Sequence, residues 1–259
     1  MATVIKQRPV RETVSAEEWQ ARIDLACAHR LIADSGIRDL TYNHLSARVP
    51  GEPNRMLIKT PDEMFDEVTA SSLQKYDIET GAPVMGSTKP LAGGGLIIHA
   101  GILGRKPEIN AVFHTHSAAN MAVSCHKCGL LPITQAAARF YKALAYHKFG
   151  GYEFELKMRD RLIEDLGDHK AALLENHGAL TVGRNVCEAF LLHHSLESAC
   201  RAQVGALAGG LDNVKMPDPA TMDYAVDQLR RLGGGGSRAA ADWAACLRRA
   251  ERLDPSFKE

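Results

Sequence analysis

The stretch AVFHTHSAAN, residues 111–120, limits what this chain can become more than any other segment. Ile109, Ala111, Val112 and Phe113 form a short apolar run that passes directly into His114-Thr115-His116. If the run is a strand, side-chain alternation puts both imidazoles on one face with their roots roughly 7 Å apart, near enough to reach one metal ion. The plainer reading is a pair of half-buried polar residues at a strand end, and a third ligand would decide between the two. The Asn176-His177-Gly178 turn, set between AALLE and ALTVG, supplies a candidate. Three histidines that leave coordination positions open suit a catalytic divalent ion. With eleven histidines in the chain, chance triples come easily, so the residues alone leave the choice open.

The rest of the chain bounds the setting. Its 259 residues, 45% of them hydrophobic and 24% charged, are ample for one well-packed core. Lys plus Arg equals Asp plus Glu at 31 each, so no global basic field exists to attract nucleic acid or an anionic membrane. The opening MATVIKQRPVRETVSAEEWQ lacks the apolar core of a signal peptide, and no apolar run approaches the ~20 residues needed to span a bilayer. A cytoplasmic protein with no membrane partner is expected. Cys27, Cys125, Cys128, Cys187, Cys200 and Cys246 are dispersed, mostly within apolar helical patterns, and are expected to be reduced and to pack as small hydrophobes. Cys125 and Cys128 form a CxxC, but without a second one a structural role is favoured over a zinc or redox site.

Residues 1–14 read as an arm. Ser15 and Glu18 form a capping box for an amphipathic helix that carries Trp19, Ile23, Ala26, Leu31 and Ile32 and ends near Gly36. TYNHLSARVP and RMLIKTP read as antiparallel strands, and EVTASSLQKYD as a polar helical turn. GSTKPLAGGG is a loop feeding an apolar helix, LIIHAGILGRKP, and the strand INAVFHTH is followed by the helix SAANMAVSCHKC. LPITQAAARFYKALAYHKFGGYEF mixes strand and loop, KMRDRLIEDLGD is a helix, and AALLENHGALTVG folds as strand, turn and strand. A long helix runs from about Asn185 to Leu207. Beyond it, MPDPA, an Arg- and Leu-rich helix, the glycine run at 233–237 and a final helix read as an appendage that packs on a neighbour or on its own core. The expected division is an arm at 1–14, one main domain at 15–213 and a helical extension at 214–259.

NAVFHTHSAANMAVSC together with LLENHGALTVG resembles the metal-binding signature of the class II aldolase and adducin superfamily. GIRDLTYNHLSARVP, EVTASSLQKYDIETG, CGLLPIT, AYHKFGG and the helix opening NVCEAF follow in the family's order, so the resemblance spans roughly residues 17–213 and is strongest toward the adducin-like branch. It implies an α/β fold, an αβα sandwich around a mainly antiparallel sheet, assembled as a homotetramer with sites at subunit interfaces. It also implies His114, His116 and His177 as ligands of a divalent metal, with Zn2+ first and Mn2+, Co2+ or Fe2+ as alternatives. That ion would polarise a carbonyl and stabilise an enolate.

The chain departs from the family's sugar-phosphate aldolases at one place. Those enzymes carry Ser-Ser-Glu ahead of a helix histidine, the glutamate moving protons and the serines holding phosphate. Counting back from His99, this chain has Gly93-Gly94-Gly95. A general acid–base residue contributes about 10²–10⁴-fold, so aldol chemistry run in that way is expected to be crippled. Tyr146 matches a tyrosine that in the aldolases donates a proton into an adjacent subunit's site, and an ordinary interface aromatic is its other reading. His99 is either a support behind the metal loop or a satisfied core histidine. The aromatic residues Phe140, Tyr141, Tyr146, Phe149 and Tyr152 are expected at a subunit interface.

Two functions compete. The first is a metal-dependent carbon–carbon lyase, a decarboxylase or retro-aldolase, acting on a small carbonyl or hydroxy-acid substrate. Loss of CO₂ itself generates the enolate, so decarboxylation survives loss of the glutamate better than aldol addition does. The second is a non-catalytic, adducin-like assembly or binding module. The retained histidines favour the first reading, and the residues after Val214 do not form the basic tail through which adducins bind the cytoskeleton.

Overall fold

The computed structural model describes residues 9–152, 155–231 and 236–259. The first eight residues of the expected arm and most of the glycine run lie outside them. The apolar run before His114 is the central strand of the molecule. Strand β5 (Ala111–Thr115) is buried at all of its positions, as a strand covered on both faces must be. It lies between β1 (His44–Val49) and β8 (Gly178–Gly183) in an eight-stranded sheet. Beyond β1 come β2 (Glu52–Ile58), β3 (Gln74–Asp77) and β4 (Pro83–Met85); beyond β8 come β7 (Ala171–Leu174) and β6 (Ala145–His147). Every pairing is antiparallel except β6 with β7.

Alternation along the strands sorts their side chains between two cores. Leu45, Ala47, Leu57, Ala111 and Phe113 pack with helices α1 (Ala16–Asp34) and α6 (Val186–Leu207). Met56, Ile58, Val112, Leu180 and Val182 face the opposite layer, which is built from the segment Gly95–Arg105 and from α5 (Leu156–Leu166). Helices on both faces of a mainly antiparallel sheet make the αβα sandwich that the family resemblance implied.

Local structure departs from the sequence reading in four places. EVTASSLQKYD, read as a polar helical turn, holds no helix and ends in strand β3, whose residues Gln74, Lys75 and Tyr76 are buried in the sheet. The helix after the triple glycine starts as a π-helical turn, Gly95–Ala100, and becomes α-helical only as α2 (Gly101–Arg105). Such wide turns are frequent at functional sites. After β5, helix α3 (Ala118–Ser124) stops before the CxxC, so Cys125 and Cys128 are exposed in the following loop and do not pack as small hydrophobes. Among the aromatic residues expected at an interface, Phe140 instead lies in a core beside Leu173 and Leu196, just after the short helix α4 (Gln135–Ala138). All six cysteines are free thiols.

The capping box at α1 is half formed. Ser15 Oγ accepts the Glu18 N–H at 3.1 Å, but the Glu18 carboxylate turns inward to Arg22 at 2.9 Å and Lys75 at 2.8 Å. Arg22 is fully buried and also donates to the carbonyls of Ala70 and Leu73. Of the helices that follow α6, α7 (Pro219–Arg231) buries Met222, whereas α8 (Gly236–Leu253) lies against α1 and α6. Trp243 meets Phe190 edge-on with ring centroids 5.4 Å apart, and Phe257 is completely buried. The Ala70 and Ser71 N–H groups donate to the carbonyl oxygens of Phe257 and Glu259 at 2.9 and 2.8 Å. The end of the chain thus packs on its own core. Phe257→Ala is expected to destabilise the protein by about 3–5 kcal/mol through the cavity it leaves, measured as a lowered midpoint in chemical denaturation.

Candidate metal centre

His114 is the penultimate residue of β5 and His116 follows the strand by one position, so alternation sends both imidazoles the same way. Thr115 points oppositely and ties the strand end to α6, its Oγ1 lying 2.8 Å from His193 Nε2. His177 arrives on the turn between β7 and β8, after Asn176 in the left-handed region at φ 57°. The glycine after it has a steric purpose: a Cβ on Gly178 would lie 2.5 Å from the Thr115 carbonyl oxygen and 3.0 Å from His116 Cδ2. Only glycine lets the turn come this close to the end of β5. His114 Nε2 is then 2.8 Å from His116 Nε2, which is 3.1 Å from His177 Nε2.

Hydrogen bonds on the far side of two rings show what these nitrogens offer. His114 Nδ1 lies 3.0 Å from the Ala179 carbonyl, which can only accept, so Nδ1 carries the proton. His116 Nδ1 lies 2.8 Å from the Asp39 carboxylate and is protonated for the same reason. In the neutral rings both lone pairs then sit on Nε2 and face each other, an arrangement relieved by a shared cation. Burial, reinforced by His177, His44 and His116, holds His114 well below its ordinary pKa and keeps it a neutral donor. Ligand type, convergence and outer hydrogen bonds all fit a divalent metal.

Several contributing residues lie in GIRDLTYNHLSARVP, a segment that carries part of the family resemblance but in which the sequence reading gave no residue a role. Asp39 orients His116, and buried Asn43 accepts the His116 backbone N–H at 2.8 Å. Between them Leu40 holds a φ of 45°, and the buried Lys59 ammonium grips the Thr41 carbonyl at 2.9 Å. Burial lowers Lys59 to about 8. His44 pairs directly across the sheet with His114, and their ring centroids are 5.0 Å apart. The advance signal was Asp39, Asn43 and His44 gathered where a strand begins; that strand's partner could not be known.

His99, read from the sequence as a candidate, is fully buried on the π-helical turn that covers this face of the sheet. Its Nε2 lies 2.7 Å from His44 Nδ1 and its Nδ1 lies 2.6 Å from Ser46 Oγ. Burial lowers its pKa to about 3. With both nitrogens engaged, it stands behind His44. A Cβ on Gly95 would meet Leu91 Cδ1 at 2.8 Å, and one on Gly94 would meet His44 Nε2 at 2.7 Å. A side chain in the glycine run therefore collides with what already fills the space. Tyr146, on β6, is 40% exposed, and its hydroxyl accepts the Leu130 N–H at 2.9 Å over Gly129.

A nearly fully antiparallel αβα sandwich with a histidine triad at the end of its central strands defines a class of fold and site, and comparison with known proteins names the family. Residues 23–204 match the class II aldolase and adducin N-terminal domain, and the chain belongs to that family. It is 39% identical over 246 residues to a Caulobacter vibrioides protein with a provisional aldolase class 2 name, covering 95% of each. It is 35% identical to alpha-adducin of Rattus norvegicus over 226 residues, 86% of this chain but 31% of the adducin. The crystal structure of an aldolase II superfamily protein from Pseudomonas syringae superposes with a TM-score of 0.90 at 37% identity, covering 96% of this chain and 99% of that one.

Asp39 holds the His116 ring without belonging to the triad, so Asp39→Ala should preserve the fold. It is expected to lower affinity for Zn2+ about 10–100-fold, read by competition against a chelator.

Proposed function

We propose that the chain is a divalent-metal-dependent carbon–carbon lyase acting on a small carbonyl or hydroxy-acid substrate, with loss of CO₂ favoured over retro-aldol cleavage. The observation that carries this reading is the convergence of three Nε2 atoms, two of them turned to lone pairs by Ala179 and Asp39. His114, His116 and His177 would hold the ion, Zn2+ before Mn2+, Co2+ or Fe2+. A bound cation of this kind polarises a substrate carbonyl and offsets the negative charge that grows on its oxygen.

Gly95 leaves no carboxylate to pull a proton from carbon. Decarboxylation needs none: the bond to the carboxylate carbon breaks, CO₂ leaves, and the electron pair passes into the adjacent carbonyl. A proton must then reach the carbon, and Tyr146 of an adjacent chain in a cytoplasmic homotetramer is our candidate donor. Its partly exposed side chain and the neighbouring exposed Phe149 and Tyr152 support that placement. We assign this chemistry to a domain at 15–213, with 214–259 as its helical extension. No helix among the described residues is long and apolar enough to cross a membrane. Gly95 and the identity to alpha-adducin favour a second reading, a non-catalytic assembly or binding module.

Metal analysis of protein purified without chelator, combined with a screen of carboxylic acids for metal-dependent CO₂ release, separates the two. We expect one divalent ion per chain, CO₂ release from at least one β-keto- or aromatic hydroxy-acid, and negligible cleavage of phosphorylated sugars. Bound metal with no turnover of any acid would favour the binding module. For the assembly, light scattering should give a tetramer. Tyr146→Phe should remain tetrameric while losing about 10²-fold or more in turnover; full activity would strip Tyr146 of its role.

A further inference from the structure

The chain from buried Ser46 and His99 to half-buried His44 has only one proton arrangement that satisfies all its members. Ser46 Oγ is sealed from solvent, and among the described residues its side-chain hydrogen bond is the one to His99 Nδ1. The hydroxyl proton therefore goes to His99 Nδ1, which must accept. His99, neutral at its depth, then carries its proton on Nε2 and donates it to His44 Nδ1. His44 in turn must carry its own proton on Nε2. The reverse order would send His99 Nδ1–H toward Ser46 Oγ and leave the buried hydroxyl proton without an acceptor, which costs the desolvation of that group.

His44 Nε2 makes no hydrogen bond to a described residue and is not among the sealed, unpartnered nitrogens. It lies over Gly94, where any side chain would cover it, and its ring adjoins that of His114. A protonated Nε2 has no lone pair for a metal, so His44 adjoins the triad without being its fourth ligand. We propose that His44 is held as the neutral Nε2–H tautomer by Ser46 and His99, and that it donates this N–H to a carbonyl or carboxylate oxygen of a substrate seated at the histidine triad. The second half rests on the lyase reading. The tautomers make a sharp pattern: His114 and His116 protonated on Nδ1, His44 and His99 on Nε2. His44 is then the substrate-contacting group, and Ser46 and His99 are positioning residues. A neutral donor of this kind stabilises charge developing on the carbonyl oxygen and does no work as a base, so it fits a site whose position 95 carries no carboxylate.

Neutron diffraction from deuterated crystals of the full chain tests the tautomer directly, with or without metal and without substrate. Deuterons on His44 Nε2, His99 Nε2 and Ser46 Oγ are expected; a deuteron on His44 Nδ1 would overturn the proposal whatever the activity. The substrate-facing half is read by calorimetric binding of acetohydroxamate to zinc-loaded protein. His44→Phe should weaken binding about tenfold or more at unchanged zinc stoichiometry, and Ser46→Ala should weaken it less, with Ser46→Thr restoring it. Unchanged affinity in His44→Phe would remove the donor role. Failure of every acid to release CO₂, with these results intact, would count against the lyase and not against the donor.

Discussion

The register of three neighbouring strands supports everything else at this site. On one row of the sheet, His44 of β1 faces His114 of β5, which faces Leu180 of β8. A one-residue slip in either pairing would turn a histidine into the apolar core on the opposite face. The register is secured because both faces are buried: Phe113 and Leu45 belong to one core, Val112 and Leu180 to the other. Gly178 then completes the arrangement, since only the absence of a Cβ lets the β7–β8 turn bring His177 against the end of β5.

Around that row, hydrogen bonds divide the histidines into two kinds. Acceptors behind His114 and His116 turn their Nε2 atoms into lone-pair donors. Behind His44 stands another imidazole, followed by a hydroxyl. Four chemically identical side chains thus acquire different roles from their neighbours, and burial keeps His114 and His99 neutral. The loop carrying Asp39 and Asn43 is held by Lys59, which donates to the Thr41 carbonyl, while Asn43 accepts the His116 backbone N–H.

The family's proton-transfer carboxylate is missing without leaving empty space in its place. Leu91 and His44 stand where side chains on Gly95 and Gly94 would have to go. The glycine run and His44 therefore belong together: the backbone of Gly94 passes under the imidazole only because it has no Cβ. The proposed loss of CO₂ rests on this feature, since that reaction needs no base at position 95.

Periodicity and punctuation alone marked most of the elements in this chain: the capped first helix, the central strand before His114, the strand–turn–strand around His177 and the long helix after Asn185. These are local properties, set by side-chain alternation, caps and glycines within a few residues. The His114–Thr115–His116 spacing and the Asn176-His177-Gly178 turn were legible for the same reason, and family resemblance joined them into a triad. Asp39, Asn43, His44 and Ser46 were not singled out, because their roles come from strand pairing and from a loop crossing the sheet's end, contacts between residues 53 to 77 positions apart. The π-helical turn, the exposure of the CxxC and the burial of Phe257 were likewise decided by packing. The sequence determined which residues could bind a metal; tertiary contacts alone decided which ring nitrogen each of them offers.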